Sequence, residues 1–423
     1  MKMGKADRRC RVLVLSRAYP NSVLSGLGLW VKRLVQECSE TSDLKIISPV
    51  PYCPPLHGFE EYTRFRRVVR RNSENGVEVF HPRFVVGPGQ MLYPTEAVSY
   101  YLGVRRQIDE IRKTFEFDII HAHFSYPDGV AAALLGRRYG VPVVVTEHAP
   151  WKPNWMDKSA IVRRQSVWAA GRAVFQIAVS RSVRDTIAHF TGDPSKIRVI
   201  HCGVDGDAFA ATEDHGTRRP DQILFVGFIN FNKGIDVLLE AMRGVVARRP
   251  SAKLVLVGGG FYHNTKMQEQ RLRVLARDLE DSGHVEFVGH QPPVEVARYM
   301  RESSLLVLPS HAESFGAVLV ESLACGTPVV ATRCGGPEDI VNERVGVLVP
   351  AGEPEALAAA IERVLDKRSD YDPATLRRYA LDNFSWERIA QQTTDLYREA
   401  ISTFQNTVAA AGDPEYQREY RGA

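Results

Sequence analysis

The chain has 423 residues, of which 44% are hydrophobic and 25% charged, and its net charge is +4. This length exceeds what one hydrophobic core usually supports, and the composition is typical of soluble globular proteins. The small net charge gives no reason to expect a nucleic-acid partner. Six scattered cysteines without a Cys-x-x-Cys pair argue against a zinc ribbon or disulfide framework and favour a reducing cytosol.

The first half of the chain alternates apolar strands with amphipathic helices, a pattern that predicts a Rossmann-like parallel sheet. The glycine loop over 25–31 lacks the third glycine of the dinucleotide fingerprint, so we do not expect NAD or FAD to bind. Within it, Gly28 has two interpretations, a backbone approach to a phosphate or sugar and a simple turn glycine. The predicted strands cover 11–16, 44–48, 118–123, 141–148, 174–180 and 197–200.

Basic residues are concentrated in the first 118 residues, which hold 19 Lys and Arg against 13 Asp and Glu. Such an excess suits an anionic membrane surface, and a solvated charged loop is the alternative. We therefore expect a cytoplasmic protein with peripheral contact to the inner membrane face. Within 60–72, five arginines are interleaved with four apolar residues, Tyr62, Phe65, Val68 and Val69.

Histidines mark two strand ends in this half. His121 and His123 end one predicted strand, and His148 ends the next. In an open α/β sheet, the carboxyl ends of the strands line the ligand crevice. The His-x-His pair lacks a third ligand at a convincing spacing, so a neutral polar role toward a sugar is favoured over a metal site. For His121 alone, we favour a core histidine whose hydrogen bonds are satisfied.

A polar stretch over 211–220 resembles a linker, and a second series of strands and helices follows it. Lys233 opens a helix after the first of these strands, where a cation suits a bound phosphate. Asp205 and Asp207 have the spacing of an Asp-x-Asp metal motif, but we interpret this segment as a hinge. The predicted strands cover 223–226, 254–257, 285–290, 304–308, 329–332 and 345–349.

A loop carrying Glu313 leads into a short buried helix, predicted over 317–325, with Glu321 about one turn inside it. The free N–H groups at the start of that helix form a ready anion site between the two carboxylates. A phosphate flanked by carboxylates that accept from hydroxyls suggests a sugar nucleotide. An ordinary αβ turn with two surface glutamates is the alternative.

Taken together, these motifs resemble the retaining GT-B glycosyltransferases with the Glu-x7-Glu signature, of the family 4, group 1 type. Glu313 and Glu321 match the signature, and Lys233 with Gly234 matches the family's second phosphate element. The segments 118–123 and 384–386 match landmarks near the two ends of the family pattern. The resemblance covers the chain to about residue 404.

The resemblance implies an α/β fold of the GT-B type, with two Rossmann-like doubly wound domains facing each other across a cleft. Residues 1–205 would form the domain on the acceptor side, and 206–383 the domain that binds the nucleotide-sugar donor. A helix over 384–404 would cross back to the first domain, and 405–423 would form a flexible tail.

The resemblance also implies roles for individual residues. Glu313 would bind hydroxyls of the donor sugar, Glu321 would bind the ribose, and Lys233 would neutralise the diphosphate. His148 would contact the donor sugar near the acceptor, and Gly28 would approach the diphosphate. Backbone amides for sugar and phosphate are expected from Ser314, Phe315, Gly316, Ala317 and Val318. The candidates for acceptor contacts are His123 and Trp151.

Two positions depart from the family pattern. Phe228 stands where the family usually has an arginine that pairs with the lysine on the diphosphate, so one expected cation is missing. His148 is followed by the segment 149–151, Ala-Pro-Trp, rather than the common Gly-Ser-Asp, which places the acceptor contacts in doubt.

We therefore expect a retaining, metal-independent enzyme without a cofactor that transfers a hexose from a UDP- or GDP-sugar to a lipid-linked or polysaccharide acceptor. Its partners would be the nucleotide-sugar donor, a glycan or lipid-linked acceptor and an anionic membrane surface, with no nucleic acid. The alternatives are a nucleotide-sugar epimerase or a phosphorylase on the same fold, and a catalytically silent scaffold that binds sugar nucleotide.

Overall fold

The computed structural model describes residues 9–52, 54, 60–87, 92–149, 159–211, 218–259 and 263–410. The chain divides into two compact units. The first unit contains the residues up to His201 together with those from Ile389 onward, and the second contains Cys202 to Arg388.

The main sheet of the first unit has eight strands in the order β10-β9-β8-β7-β1-β2-β5-β4, with ranges given at the end of this paragraph. All neighbouring pairs are parallel except β4 and β5, and β3 pairs with β6 in a separate two-stranded sheet. The strands are β1 (Cys10–Leu15), β2 (Ser42–Ile47), β3 (Val50–Tyr52), β4 (Arg71–Glu74), β5 (Val77–Phe80), β6 (Arg83–Val85), β7 (Ile119–His123), β8 (Val143–Glu147), β9 (Phe175–Ala178) and β10 (Ile197–Val199).

Helices pack against this sheet through their apolar residues. The largest core cluster combines fully buried strand residues such as Leu13 and Ile120 with Tyr100, Ile108 and Leu135 from two helices. Burial of this kind contributes about 25 cal/mol per Å² of apolar surface, which stabilises the unit. The helices are α1 (Leu29–Cys38), α2 (Glu96–Arg112), α3 (Val130–Tyr139), α4 (Ala160–Arg172) and α5 (Arg181–Thr191).

The strands predicted for the first half are all present, but the sequence analysis missed the short pair β3 and β6 and the hairpin of β4 and β5. Strands β4 and β5 are joined by Asn75 and Gly76, whose φ angles are 47° and 81°. An Asn-Gly pair with both φ values positive is the preferred two-residue hairpin turn, so the signal was present in the sequence.

The structure corrects the interpretation of the arginine-rich segment. Phe65 and Val68 are 7% and 3% exposed and form a small core cluster with Val50 of β3, against which Tyr62 is partly buried. Phe65 and Val68 are therefore not available to a membrane surface, because their side chains pack inside the unit, and the membrane contact of the segment stays a prediction. Of the four apolar residues, Val69 is largely exposed, at 58%.

The second unit contains a six-stranded parallel sheet in the order β13-β12-β11-β14-β15-β16. These strands are β11 (Gln222–Gly227), β12 (Lys253–Gly258), β13 (Val285–Gly289), β14 (Leu305–Leu308), β15 (Val329–Arg333) and β16 (Gly346–Pro350), and all were predicted. The helices of this unit are α6 (Ile235–Arg248), α7 (His263–Leu275), α8 (Arg277–Asp281), α9 (Pro293–Glu302), α10 (Ala317–Ala324), α11 (Pro354–Asp366) and α12 (Pro373–Phe384).

A long helix, α13, runs from Trp386 to Ala410, six residues beyond the predicted end at 404. Ile389, Leu396 and Tyr397 are buried, at 2%, 5% and 1% exposure, as the amphipathic pattern predicts. Residues 411–423 lie outside the described part of the chain. Among the described residues, no helix combines the length and apolar character needed to cross a membrane.

Candidate functional site

The strand order of each sheet reverses at one pair of neighbouring strands, and ligands commonly bind at such a position. From β1 the chain adds β2 on one side and later β7 on the other, so the order reverses between β1 and β7. In the second sheet the same reversal falls between β11 and β14. In doubly wound sheets, the crevice at the carboxyl ends of such a strand pair is the usual ligand site.

At the reversal of the first sheet, His121 is a satisfied core residue, as predicted. Its Nδ1 lies 2.7 Å from the Tyr397 hydroxyl, and its Nε2 lies 2.7 Å from Oγ1 of Thr146. Burial lowers the pKa of His121 to about 3, with a further contribution from His148. The residue therefore stays neutral and links β7, β8 and α13 within the first unit.

The other two histidines form a direct pair. Nδ1 of His123 lies 3.0 Å from Nε2 of His148, and the two rings are stacked with centroids 5.3 Å apart. Burial lowers the pKa of His148 to about 3 and that of His123 well below its ordinary value, so one neutral imidazole donates to the other. The sequence analysis named both residues, but it did not predict their contact.

Nε2 of His123 is buried and has no hydrogen-bond partner. Because buried N–H groups without an acceptor are rarer than unpaired acceptors, the arrangement favours a proton on Nδ1 of His123, donated to His148. His148 then carries its own proton on Nδ1. In this tautomer, the Nδ1–H group of His148 is a neutral donor. His123 orients the His148 ring through the hydrogen bond to its Nε2.

Glu147 holds the two loops that carry these groups. Its Oε1 accepts the backbone N–H groups of His148 and Ala149 at 3.1 and 3.2 Å, and its Oε2 accepts that of Ser125 at 3.0 Å. The side chain is fully buried. A buried carboxylate that accepts several backbone donors fixes the local chain path, so Glu147 positions the end of β8 against the loop after β7.

A charged network beside the same strand ends was missed by the sequence analysis. The backbone N–H of Arg17 donates to Asp128 at 2.7 Å, and its guanidinium donates to Glu96 at 2.5 Å. Tyr100 donates to the same oxygen of Asp128 at 3.0 Å. Burial raises the pKa of Asp128 to about 7, and Arg17 opposes that rise. The sequence did contain a signal for this network, because Arg17 follows β1 closely and Asp128 follows β7 closely.

Gly28 precedes α1 with φ at 70°, and a Cβ there would lie 1.8 Å from the carbonyl oxygen of Ala18. No side chain fits this approach between two backbone segments. The turn interpretation therefore explains the glycine, and the predicted contact with a diphosphate stays a prediction. The other acceptor candidate, Trp151, lies outside the described residues.

At the reversal of the second sheet, the ammonium of Lys233 forms an ion pair with Oε1 of Glu313. Ser310 also donates to Oε1, at 2.9 Å. The Lys233 and Glu313 side chains are 21% and 12% exposed, so the pair is only partly screened by water. The sequence analysis assigned both residues to the donor site but did not predict that they pair.

The loop after β11 is shaped to deliver Lys233. The Asn230 side chain accepts the Lys233 backbone N–H at 3.0 Å, and Gly234 follows with φ at 66°. A Cβ at Gly234 would lie 2.0 Å from the carbonyl oxygen of Pro309, just after β14. The two loops therefore touch through backbone atoms, and only glycine permits that contact.

Glu313 is held equally firmly on its own loop. Its N–H donates to the carbonyl of Cys334 at 3.2 Å, and its carbonyl accepts from Gly336 at 2.9 Å. A Cβ at Gly336 would lie 2.2 Å from Cα of Phe315, so the chain passes closely here as well. The position of the carboxylate is thus determined by the backbone on both sides.

Helix α10 begins immediately after this loop, as predicted. Gly316 precedes it with φ at 96°, and the first turn of a helix leaves backbone N–H groups without carbonyl partners inside the helix. Phe315 is buried, with its ring 5.8 Å from that of Phe384, Ser314 and Val318 are partly buried, and Ala317 is exposed. Burial raises the pKa of Glu321 to about 7.

Two further segments complete the second unit's candidate residues. Phe228 follows β11 and is 48% exposed. The Asp205 carboxylate accepts backbone N–H groups from Asp207 and Ala208 at 3.1 and 3.0 Å, which explains the Asp-x-Asp spacing as a local turn. The described residues contain no group of three or more His, Cys, Asp or Glu side chains suited to a metal ion.

Comparison with known proteins gives two family matches and several similar proteins. The model described as "Glycosyltransferase Family 4" matches residues 64–208, and "Glycosyl transferases group 1" matches 211–381. A D-inositol 3-phosphate glycosyltransferase of Paenarthrobacter aurescens (strain TC1) is 32% identical over 341 residues, covering 75% of this chain and 82% of the relative.

Solved structures agree on the fold. Sucrose-phosphate synthase from Thermosynechococcus elongatus has a TM-score of 0.76 at 21% identity, covering 93% of this chain and 100% of that chain. Anabaena Alr3699/HepE in complex with UDP-glucose has a TM-score of 0.66 at 20% identity, covering 93% and 99%. The predicted α/β fold of the GT-B type is confirmed.

We expect Gly234→Ala to destabilise the second unit more than Gly283→Ala. Both glycines have positive φ, 66° and 79°, but a Cβ at Gly283 meets nothing within 4 Å. The control therefore carries only the backbone cost of about 1–2 kcal/mol, whereas Gly234→Ala adds the clash with Pro309. Urea unfolding measures both losses, and equal losses would contradict the proposed backbone contact.

We expect the free energy of unfolding to decrease as the pH falls from about 6.5 to about 3, partly because of His121. The unfolded histidine takes up a proton in this range and the folded one does not, which costs up to about 1.4 kcal/mol per pH unit. His121→Gln should flatten the curve in this range. An unchanged pH dependence of its unfolding free energy would contradict the assignment.

Proposed function

Because the chain belongs to the group 1, family 4 glycosyltransferases, we propose that it transfers a hexose from a UDP- or GDP-sugar to an acceptor hydroxyl, with retention at the anomeric carbon and without a metal ion. The second unit would bind the donor and the first would bind the acceptor. A glycan or a lipid-linked sugar is the proposed acceptor.

The observation that carries this proposal is the group of residues at the strand reversal of the second sheet. It combines the ammonium of Lys233, the carboxylate of Glu313 and the start of α10. A cation and free N–H groups suit a diphosphate, and a carboxylate suits sugar hydroxyls. Glu321, one helical turn further on, is assigned to the ribose hydroxyls.

The chemistry follows from where charge develops. As the anomeric C–O bond breaks, its electron pair moves to the diphosphate oxygen, and the sugar gains oxocarbenium character. Lys233 and the N–H groups at the start of α10 are held in place before reaction, so they stabilise the developing negative charge without a reorganisation cost. We assign Glu313 to sugar binding rather than to a covalent intermediate, with attack from the face that the diphosphate leaves.

The first unit would contribute neutral donors. In the tautomer favoured above, His148 offers a neutral N–H group. Such a group is suited to a sugar hydroxyl, whereas a phosphate is bound better by a cation. We propose that His148 binds the reacting sugar and that Gly28 lies toward the diphosphate. The acceptor contacts remain proposals for His123 and Trp151, with His123 acting mainly through His148.

A second acceptor class deserves a direct test. The relative from Paenarthrobacter aurescens is named for D-inositol 3-phosphate, a phosphorylated polyol. HepE was solved in complex with UDP-glucose, so UDP-glucose is the first donor to test. Each acceptor class should be supplied with the same donor, because the product mass then identifies the acceptor without further assumptions.

We expect Lys233→Ala to lower kcat/KM for transfer by about 10²- to 10³-fold, the usual loss when one preorganised group that stabilises a developing anion is removed. Lys367→Ala is the matched control, because Lys367 is exposed at the end of α11, away from the carboxyl ends of the strands. Release of UDP or GDP with a panel of acceptors measures turnover. Wild-type turnover in Lys233→Ala would overturn the assignment.

Product analysis separates the alternatives. An epimerase would convert the nucleotide sugar without an acceptor, and a phosphorylase would require inorganic phosphate. A silent scaffold would show donor binding, seen as a thermal shift, with no turnover and no slow hydrolysis of the donor.

We also propose a peripheral contact between the first unit and an anionic membrane surface. Exposed arginines, including Arg64, Arg67 and Arg70, lie in the same segment as the exposed Val69, and this segment packs on β3. Since Phe65 and Val68 are buried, the contact would be electrostatic rather than insertive. Each arginine near such a surface contributes about 1 kcal/mol, and salt screens that attraction.

Sedimentation with vesicles tests this contact. We expect binding to phosphatidylserine vesicles at low salt, loss of binding at 0.5 M salt, and loss of binding in the double variant Arg67→Glu, Arg70→Glu. The double variant Arg106→Glu, Arg164→Glu makes the same charge change at two other exposed positions of the first unit and should keep the binding. No binding of the wild type at low salt would remove the membrane proposal.

A further inference from the structure

The two oxygens of the Glu313 carboxylate have different surroundings. Oε1 receives both Lys233 and Ser310, whereas the described residues give Oε2 no hydrogen-bond donor. Oε2 also keeps some exposure to solvent. One oxygen is therefore occupied within the protein, and the other is open to a ligand.

The carboxylate cannot easily withdraw from this position. Its backbone is bonded to Cys334 and Gly336, and Lys233 is fixed by Asn230 and by the contact of Gly234 with the next loop. A ligand whose phosphate binds Lys233 therefore meets a cation that is already shared with a carboxylate. The attraction of Lys233 for phosphate is reduced by the nearby negative charge of Glu313.

We propose that Glu313 makes this site discriminate the sugar-bearing donor from the nucleoside diphosphate left after transfer. The inference rests on the proposed function and concerns the same site. An intact donor supplies a sugar hydroxyl that donates a hydrogen bond to Oε2. This hydrogen bond offsets the repulsion between the carboxylate and the diphosphate. The nucleoside diphosphate supplies none, and it carries one more negative charge because the electron pair of the broken C–O bond stays on its oxygen.

The consequence is a built-in bias toward product release. The carboxylate that helps to hold the donor sugar weakens the site for the product as soon as the sugar leaves. Glu313 would thus set the ratio of product affinity to donor affinity, whereas Lys233 and the start of α10 bind the diphosphate of both ligands.

The test measures the Kd of UDP and of UDP-glucose by calorimetry, with GDP and GDP-mannose as a parallel pair. In Glu313→Gln, which keeps the shape and removes the charge, we expect UDP to bind about 5- to 10-fold more tightly, a change of about 1–1.4 kcal/mol. UDP-glucose should not bind more tightly. The gain for UDP should shrink at high salt, because screening weakens the repulsion that the variant removes.

Two variants make the outcome specific. Glu343→Gln removes an exposed carboxylate that lies before β16, at the opposite end of the strands, and it should leave the ratio of the two affinities near the wild-type value. Glu313→Ala removes the same charge as Glu313→Gln. It allows the same affinity measurements if Glu313→Gln folds poorly.

The possible failures are distinct. Unchanged or weaker UDP binding in folded Glu313→Gln and Glu313→Ala, with normal binding by the wild type, overturns this inference alone. No binding of either nucleotide pair by the wild type overturns the proposed donor class and the inference with it.

Discussion

The ion pair between Lys233 and Glu313 is the interaction on which the second unit's site depends. It joins residues 80 positions apart in the chain, and it exists because the loops after β11 and β14 meet through the backbone at Gly234. Glycine at that position permits an approach that any side chain would block. The backbone contact between Gly234 and Pro309 therefore determines that the two charged side chains meet.

The two units differ in how they handle charge. In the first unit, burial keeps the imidazoles of His121, His123 and His148 neutral, so these side chains offer hydrogen bonds rather than charge. The charges beside them have partners inside the unit: Arg17 pairs with Glu96, and Glu147 accepts backbone N–H groups. In the second unit, a cation, a carboxylate and a helix start lie on two adjoining loops. This division suits the proposed reaction, in which the diphosphate leaves with added charge and the acceptor is an uncharged hydroxyl.

Phe228 stands where the family resemblance implies a second cation beside the proposed diphosphate. The family resemblance leads us to expect an arginine at that position, and the structure places an exposed aromatic ring there instead. In the proposed function, Lys233 is shared between Glu313 and the incoming phosphate, so we expect the start of α10 to contribute more to anion binding. We therefore expect the site to hold the diphosphate weakly, which suits an enzyme that releases this product in every cycle.

The strands of the second sheet, six strands of the first, the start of α10 and the core position of His121 were readable from the sequence, because they depend on local periodicity, turn residues and strand ends. The Asn75-Gly76 hairpin was readable and was missed. The pairing of Lys233 with Glu313, the contact of His123 with His148, and the burial of Phe65 and Val68 were decided only by the tertiary structure. Local pattern determines which residues point away from a strand or helix, but the neighbours that they meet depend on which strands lie side by side and how closely their loops approach.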